Sequence, residues 1–140
     1  MAETYGMAII PWSPLGGGLL SGKYRRGQPL PEDGRYTLSD APQHRRRLNE
    51  RIYDIIDGLD PIARGKECTL SQLALAWTLQ QPGVTSPIIG PRTMEQFEDN
   101  IGALRVEFSD EDYRMIDAVS IPGDAVSPYY EADWGPHLYR

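Results

Sequence analysis

The chain has 140 residues, enough for one domain, and its 40% hydrophobic and 24% charged residues exclude a disordered segment. A net charge of −6 offers no basic field for nucleic acid, and a single cysteine, Cys68, excludes an internal disulfide. No apolar run approaches the ~20 residues that span a bilayer, so membrane insertion is not expected.

The opening residues, Met1-Ala2-Glu3-Thr4, have neither the basic region nor the apolar region of a signal peptide. A cytoplasmic protein is the expectation. Cys68 then reads as a small buried or half-buried residue, since neither His44 nor His137 sits in a motif that would activate a thiol. Residues 7 to 11 (MAIIP) form a short apolar run of the kind buried on both faces of a parallel sheet. In the turn that follows, residues 12 to 24, Pro14 and three successive glycines argue against regular structure. From Arg25 to Pro42 the residues predict a long surface loop.

Helical periodicity begins near Arg45, with Leu48, Ile52, Ile55, Ile56, Leu59 and Ile62 on one face and a break or a kink expected at Asp60-Pro61. The basic run His44-Arg45-Arg46-Arg47 is either a local anion site or, with Glu50 and Asp54 nearby, a solvated helix face. Thr69 and Gln72 form a capping box before a helix whose apolar face is Leu70, Leu73, Ala74 and Trp77, and Pro82-Gly83 ends it. A second apolar strand, Val84 to Ile89, contains Pro87, so its ladder is partial. Thr93 and Gln96 suggest another capping box, opening a helix that buries Met94, Phe97, Ile101 and Leu104. Ser109-Asp110-Glu111-Asp112 begins a last helix, to about Val119, with acidic residues at its positive end. Strands alternate with helices, which is the pattern of a parallel α/β fold.

The turns after the two strands are where such a fold builds its sites. The first does not match a dinucleotide-binding fingerprint or a P-loop: the glycine spacing is wrong, and Pro29 and Pro31 exclude the following helix. Its glycines are either a flexible turn or a set of amides for an anion, with Lys23 adding charge. In the second, Gly90 permits close approach and Arg92 can grip a phosphate at the start of the Thr93 helix. Gln96 and Asn100 follow on one face of that helix. An ordinary capped helix with polar surface residues would look the same.

Trp12-Ser13-Pro14-Leu15-Gly16-Gly17-Gly18-Leu19-Leu20-Ser21-Gly22-Lys23 resembles the seventh-strand motif of the aldo-keto reductases. The stretch Pro87 to Thr93, with Glu95-Gln96 and Asp99-Asn100-Ile101-Gly102-Ala103-Leu104, resembles their eighth strand and the helix after it. The Leu73-Ala74-Leu75-Ala76-Trp77 helix between them also matches, over about residues 5 to 120 in all. The branch suggested holds bacterial aldo-keto reductases and potassium channel beta subunits.

The resemblance implies an α/β fold, the C-terminal part of a (β/α)8 TIM barrel. Residues 1–120 would supply barrel elements, the last two β/α units and the closing helix, and 121–140 a C-terminal tail. It implies an oxidoreductase that reduces aldehydes or ketones with NADP(H). Trp12 would stack on the nicotinamide, and Ser13, Pro14 and Leu15 would line the pyrophosphate and ribose. Lys23 would lie near the phosphates, with Arg35 also at the cofactor. Gly90, Arg92, Gln96, Asp99 and Asn100 would hold the adenosine end, Arg92 at the 2′-phosphate. The family's catalytic Asp, Tyr, Lys and His come from earlier strands, and no residue of this sequence falls in those motifs, so none is a catalytic or metal candidate.

The partners implied are a small carbonyl substrate and a complementing chain or a second copy, with no nucleic acid and no membrane. Two alternatives remain: a non-catalytic NADP(H)-binding or regulatory module, and an inactive truncated fragment. Tyr129, Tyr130, Trp134 and Tyr139 are candidates for the rim of the substrate mouth or for packing against the barrel.

Overall fold

The structure, a computed structural model, describes residues 1–39 and 42–126, so the tail aromatics lie outside the described residues. Among the described residues six helices follow one another: α1 Arg35–Leu38, α2 Pro42–Arg47, α3 Glu50–Gly65, α4 Leu70–Leu79, α5 Met94–Ile101 and α6 Asp110–Val119. Short 3₁₀ turns occupy Glu3–Tyr5, Gly16–Ser21 and Gly102–Arg105. Among the described residues no helix is long and apolar enough to cross a membrane.

The helix predicted to start near Arg45 is divided. The basic run lies on α2, and α3 begins anew where the Asn49 side chain accepts from the Ile52 N–H at 3.1 Å. Glu50 and Asp54 both pair with Arg26 from the preceding loop. That loop is also less irregular than expected, because α1 and the start of α2 form within it. The glycine turn likewise adopts a 3₁₀ course, distorted at Gly17 and Gly18.

No break occurs at Asp60-Pro61, since α3 runs through Pro61 to Gly65. Ile55, Ile56, Leu59, Ile62 and Ala63 stay buried on both sides of the proline, and their packing offsets the hydrogen bond it removes. Asp60 is engaged elsewhere, in a two-point ion pair with Arg25.

In α4 the capping box is closed in both directions, Gln72 N–H to Thr69 Oγ1 at 3.1 Å and Thr69 N–H to Gln72 Oε1 at 3.2 Å. Its buried set is Leu70, Ser71, Leu73, Leu75 and Ala76, wider than the predicted stripe, while Ala74 is half-buried and Trp77 is exposed. The larger core joins Leu19, Tyr24 and Tyr36 to α3, the start of α4 and Ile116 of α6. A smaller one packs Leu75 and Ala76 against Ala103 and Val106. Helix α6 lies close on α3, where a Cβ on Gly58 would sit 2.7 Å from Val119 Cγ1. Lys66 fastens the far end, donating to Asp112 Oδ2 and to the Glu107 carbonyl, both at 2.7 Å.

The two apolar runs do pair in parallel, but through isolated bridges rather than strands: Ile9 with Val84 and Trp12 with Ile88. Ile10 and Pro11 lie between the bridges on one side, against Thr85, Ser86 and Pro87 on the other, so the register slips by one residue. Pro11 and Pro87 donate nothing, which leaves Thr85 N–H to Ile9 O at 2.9 Å and Ile88 N–H to Pro11 O at 2.8 Å. Nor is the first run buried on both faces, since Met7, Ile9 and Ile10 are all exposed. The predicted buried face of α5 fails likewise: Met94, Phe97, Ile101 and Leu104 are all exposed, and Asn100 is buried instead.

Candidate functional site

The turns that follow the two bridged runs open on one cleft of about 610 Å³. Every residue proposed for the cofactor lines it: Trp12, Ser13, Pro14, Leu15, Lys23 and Arg35 on one side, Gly90, Arg92, Gln96, Asp99 and Asn100 on the other. A volume of that size lies within the usual range of small-molecule sites, about 300–1,000 Å³.

The first wall is held by a strained serine. Ser13 has φ 56°, in the left-handed region that serine rarely adopts. Its carbonyl accepts from Gly16 N–H at 2.9 Å and its Oγ from Gly17 N–H at 3.2 Å. The Gly18 N–H turns to the Leu15 carbonyl at 3.0 Å. These amides therefore build the turn and are not left for an anion. Gly17 (φ 69°) cannot be replaced freely, because a Cβ there would lie 3.2–3.3 Å from Tyr36 and Arg35.

Behind the wall, the Tyr36 hydroxyl donates to the Gly16 carbonyl at 2.7 Å, and the Tyr36 N–H donates to the Tyr24 oxygen at 3.2 Å. Tyr24 is fully buried, and burial pushes its hydroxyl pKa up, so it remains protonated. Lys23 Nζ stands 5.5 Å from the Tyr24 ring centroid, and this cation–π contact steadies the side chain at the edge of the cleft.

The second wall starts from Gly90, beside which a Cβ would meet only open space, so a ligand could approach the backbone closely. The expected Thr93–Gln96 capping box is half formed. Thr93 Oγ1 accepts from Gln96 N–H at 3.3 Å, but Gln96 Oε1 reaches past it to the Arg92 N–H at 2.8 Å. The Glu95 carboxyl is held below the usual carboxylate range by its own N–H and by the Thr93 hydroxyl. The α5 N-terminus thus partly caps itself, the N–H groups of Arg92, Glu95 and Gln96 being taken by neighbouring side chains.

Asp99 faces α4, accepting from Thr69 Oγ1 at 3.1 Å and Gln72 Nε2 at 2.9 Å. A Cβ on Gly102 would overlap the Gln72 amide, so glycine is required for this approach. The arrangement sets the adjoining Asn100 against the cleft. Arg92 reaches across the opening, from Nη2 to Asp33 Oδ2 at 3.0 Å and to the Asp33 carbonyl at 3.3 Å.

Sequence reasoning missed Asp33 and Ser71, which also line the cleft. Asp33 sits in an irregular Pro-Glu-Asp-Gly turn whose composition predicts a bend and no partner. Ser71 falls in the first turn of α4, where nothing local distinguishes it from a surface serine. Lys23, Arg35 and Arg92 bring three cations, set against Asp33 and Asp99, to one cleft of a chain of net charge −6, and bulk charge hides this.

Residues 1–121 match the model of the aldo/keto reductase family, and the chain belongs to that family. A probable voltage-gated potassium channel subunit beta from Oryza sativa subsp. japonica is 38% identical over 105 residues, covering 74% of this chain and 32% of that protein. An uncharacterized oxidoreductase, YrpG, from Bacillus subtilis (strain 168) is 38% identical over 125 residues, covering 87% of this chain and 34% of its own. A probable aldo-keto reductase 1 from Glycine max is 37% identical over 136 residues, covering 93% and 37%. The fold matches part of a glycerol dehydrogenase from Gluconobacter oxydans with a TM-score of 0.68 at 22% identity, covering 84% of this chain and 35% of that one. The chain thus spans about a third of the length of these relatives, in keeping with part of a barrel.

Proposed function

We propose that this chain forms the NADP(H)-binding part of an aldo-keto reductase that reduces aldehydes or ketones to alcohols. One observation carries the reading: a single cleft gathers an exposed indole, three cations and the polar residues of α5 from two distant turns. Trp12 offers a flat apolar face for a nicotinamide ring, and Ser13 to Leu15 shape the wall beside it. Lys23 and Arg35 neutralise the pyrophosphate. Arg92 takes the 2′-phosphate, the charge contact that favours NADPH over NADH. Asn100 and Gln96 face the adenosine. The bound cofactor supplies hydride.

A second reading, a non-catalytic NADP(H)-binding or regulatory module, draws on the same cleft. Among the described residues lining it there is no tyrosine or histidine to protonate a carbonyl oxygen. The 140-residue chain on its own is therefore expected to bind cofactor without turnover. The catalytic groups would come from a complementing chain seated on the exposed apolar side, with self-association as the competing outcome. Burial raises the Cys68 thiol pKa, in keeping with an unreactive cysteine in a cytoplasmic protein.

Tryptophan fluorescence during titration with NADPH, with NADH as control, tests the reading. Saturable quenching that prefers NADPH and is lost in Arg92→Ala is the expected result. Equal response to both dinucleotides would remove the NADP assignment, and no response would remove the cleft as a site. NADPH-dependent reduction of a reactive aldehyde by this chain alone would overturn the expected lack of turnover.

A further inference from the structure

We infer that Asp33 is a built-in counter-anion for Arg92, holding the guanidinium while no phosphate is present and thereby setting how strongly the cleft discriminates a 2′-phosphate from a 2′-hydroxyl. The inference rests on the NADP(H) reading above and adds a specificity-determining residue to it. The carboxylate of Asp33 occupies the Arg92 Nη2 donor at 3.0 Å, with the Asp33 carbonyl on the same nitrogen at 3.3 Å. Both partners line the cleft, one from the loop before α1 and one from the turn before α5, 59 residues apart in sequence. The other carboxylate at the cleft, Asp99, is engaged by Thr69 and Gln72 on α4, which leaves Asp33 as the acid on Arg92.

The position of Asp33 is fixed by its neighbours. Gly34 is buried, and a Cβ there would lie 2.7 Å from the Tyr24 oxygen and 2.9 Å from Pro31. Gly34 N–H also donates to the Pro31 carbonyl at 2.9 Å, closing the turn that presents Asp33. The Tyr24–Tyr36 pair that backs the glycine wall therefore also anchors the loop that carries the carboxylate.

The side chains of Arg92 and Asp33 are 58% and 71% exposed, and ion pairs this open to water are weak. A phosphate monoester, carrying about −1.5 to −2 charges, displaces a single carboxylate from the guanidinium. The displaced Asp33 then remains beside the phosphate and repels it. A dinucleotide with a 2′-hydroxyl leaves the Arg92–Asp33 pair intact and feels neither effect. Asp33 thus lowers affinity for NADPH selectively, by a factor on the order of two to five if the pair has the usual strength of an exposed one.

The test compares the full chain with Asp33→Asn, Arg92→Ala and the double variant, each titrated with NADPH and NADH. Asparagine keeps the size and turn preference of aspartate, and a thermal melt checks that each variant folds as the parent does. Asp33→Asn is expected to tighten NADPH two- to five-fold, to leave NADH unchanged, and to have no effect in the Arg92→Ala background. If NADPH and NADH shift together, Asp33 acts only by shaping the loop and the inference fails. If NADPH binding depends on Arg92 but ignores Asp33, this inference fails alone. If NADPH does not bind the parent chain, the cofactor reading and this inference fall together.

Discussion

On the helical side of the molecule, α3, α4 and α6 surround Ile56, Leu73 and Ile116 so closely that glycine is needed at 58 for one helix to pass another. On the strand side, Met7, Ile10, Trp12 and Ile88 stand more than half exposed, and the runs that carry them touch through only two bridges among the described residues. Both sides are rich in Ile and Leu, so composition does not separate them. Closure does. Each helix has a facing element to receive its apolar stripe, whereas the bridged runs and α5 have one side covered and the other bare. The cleft lies at the seam, with Lys23 and Arg35 from the closed side and Arg92 from the open one.

The largest expected effect falls on the closed side. Leu73→Ala removes a fully buried side chain and should cost about 2–5 kcal/mol in urea unfolding followed by circular dichroism. A loss near zero would mean that the helices do not form the stabilising core. Gly58→Ala sharpens the point. Alanine is the better helix former by about 1 kcal/mol, yet its methyl would meet Val119, so a net loss of about 1–3 kcal/mol is expected. Adding Val119→Ala should restore much of it. Stabilisation by Gly58→Ala alone would show that α3 and α6 are further apart than described.

A smaller effect tests the far end of the same interface. Burial alone would raise the Asp112 carboxyl, but the Lys66 ammonium and the Ser109 N–H and hydroxyl together hold it below the usual carboxylate range. Because the folded pKa is depressed, this group's stabilisation is complete above the unfolded value of about 3.9 and disappears as pH falls through the folded one. Lys66→Met should cost about 1 kcal/mol at neutral pH and make stability fall less steeply below about pH 4. Parallel pH profiles for the two proteins would show that Lys66 does not hold Asp112.

Local chemistry was legible in the sequence where a residue's partner lies within one helical turn. Thr69 caps its helix as read, because the donor and acceptor are three residues apart. Of the break or kink expected at Pro61 the break does not form, because the burial that holds α3 together comes from other elements. The buried face of α5 was misread for the converse reason: periodicity shows that Met94, Phe97 and Ile101 share a stripe, not that anything covers it. The cleft residues came from two motifs, and the structure brings those residues around one opening. Asp33 carried no such signal, since its partner is 59 residues away.

The smallest effect on stability should come from the open side, where it is paired with a large effect on association. Ile88 is 56% exposed and Ile10 is 54% exposed, so threonine at either position removes little buried area and should change unfolding stability by less than about 0.5 kcal/mol. The same side chains adjoin Trp12 and, with Met94 and Phe97, supply exposed apolar surface that favours contact with another chain. The doubly substituted Ile10→Thr/Ile88→Thr chain should therefore sediment more nearly as a monomer than the parent at equal concentration, with an unchanged melt. If the substitutions instead lower stability as much as Leu73→Ala, the strand side is closed in solution and the division between the two regions is wrong. If the parent is already monomeric at every concentration tested, its bare faces do not drive self-association, and the search moves to a complementing chain.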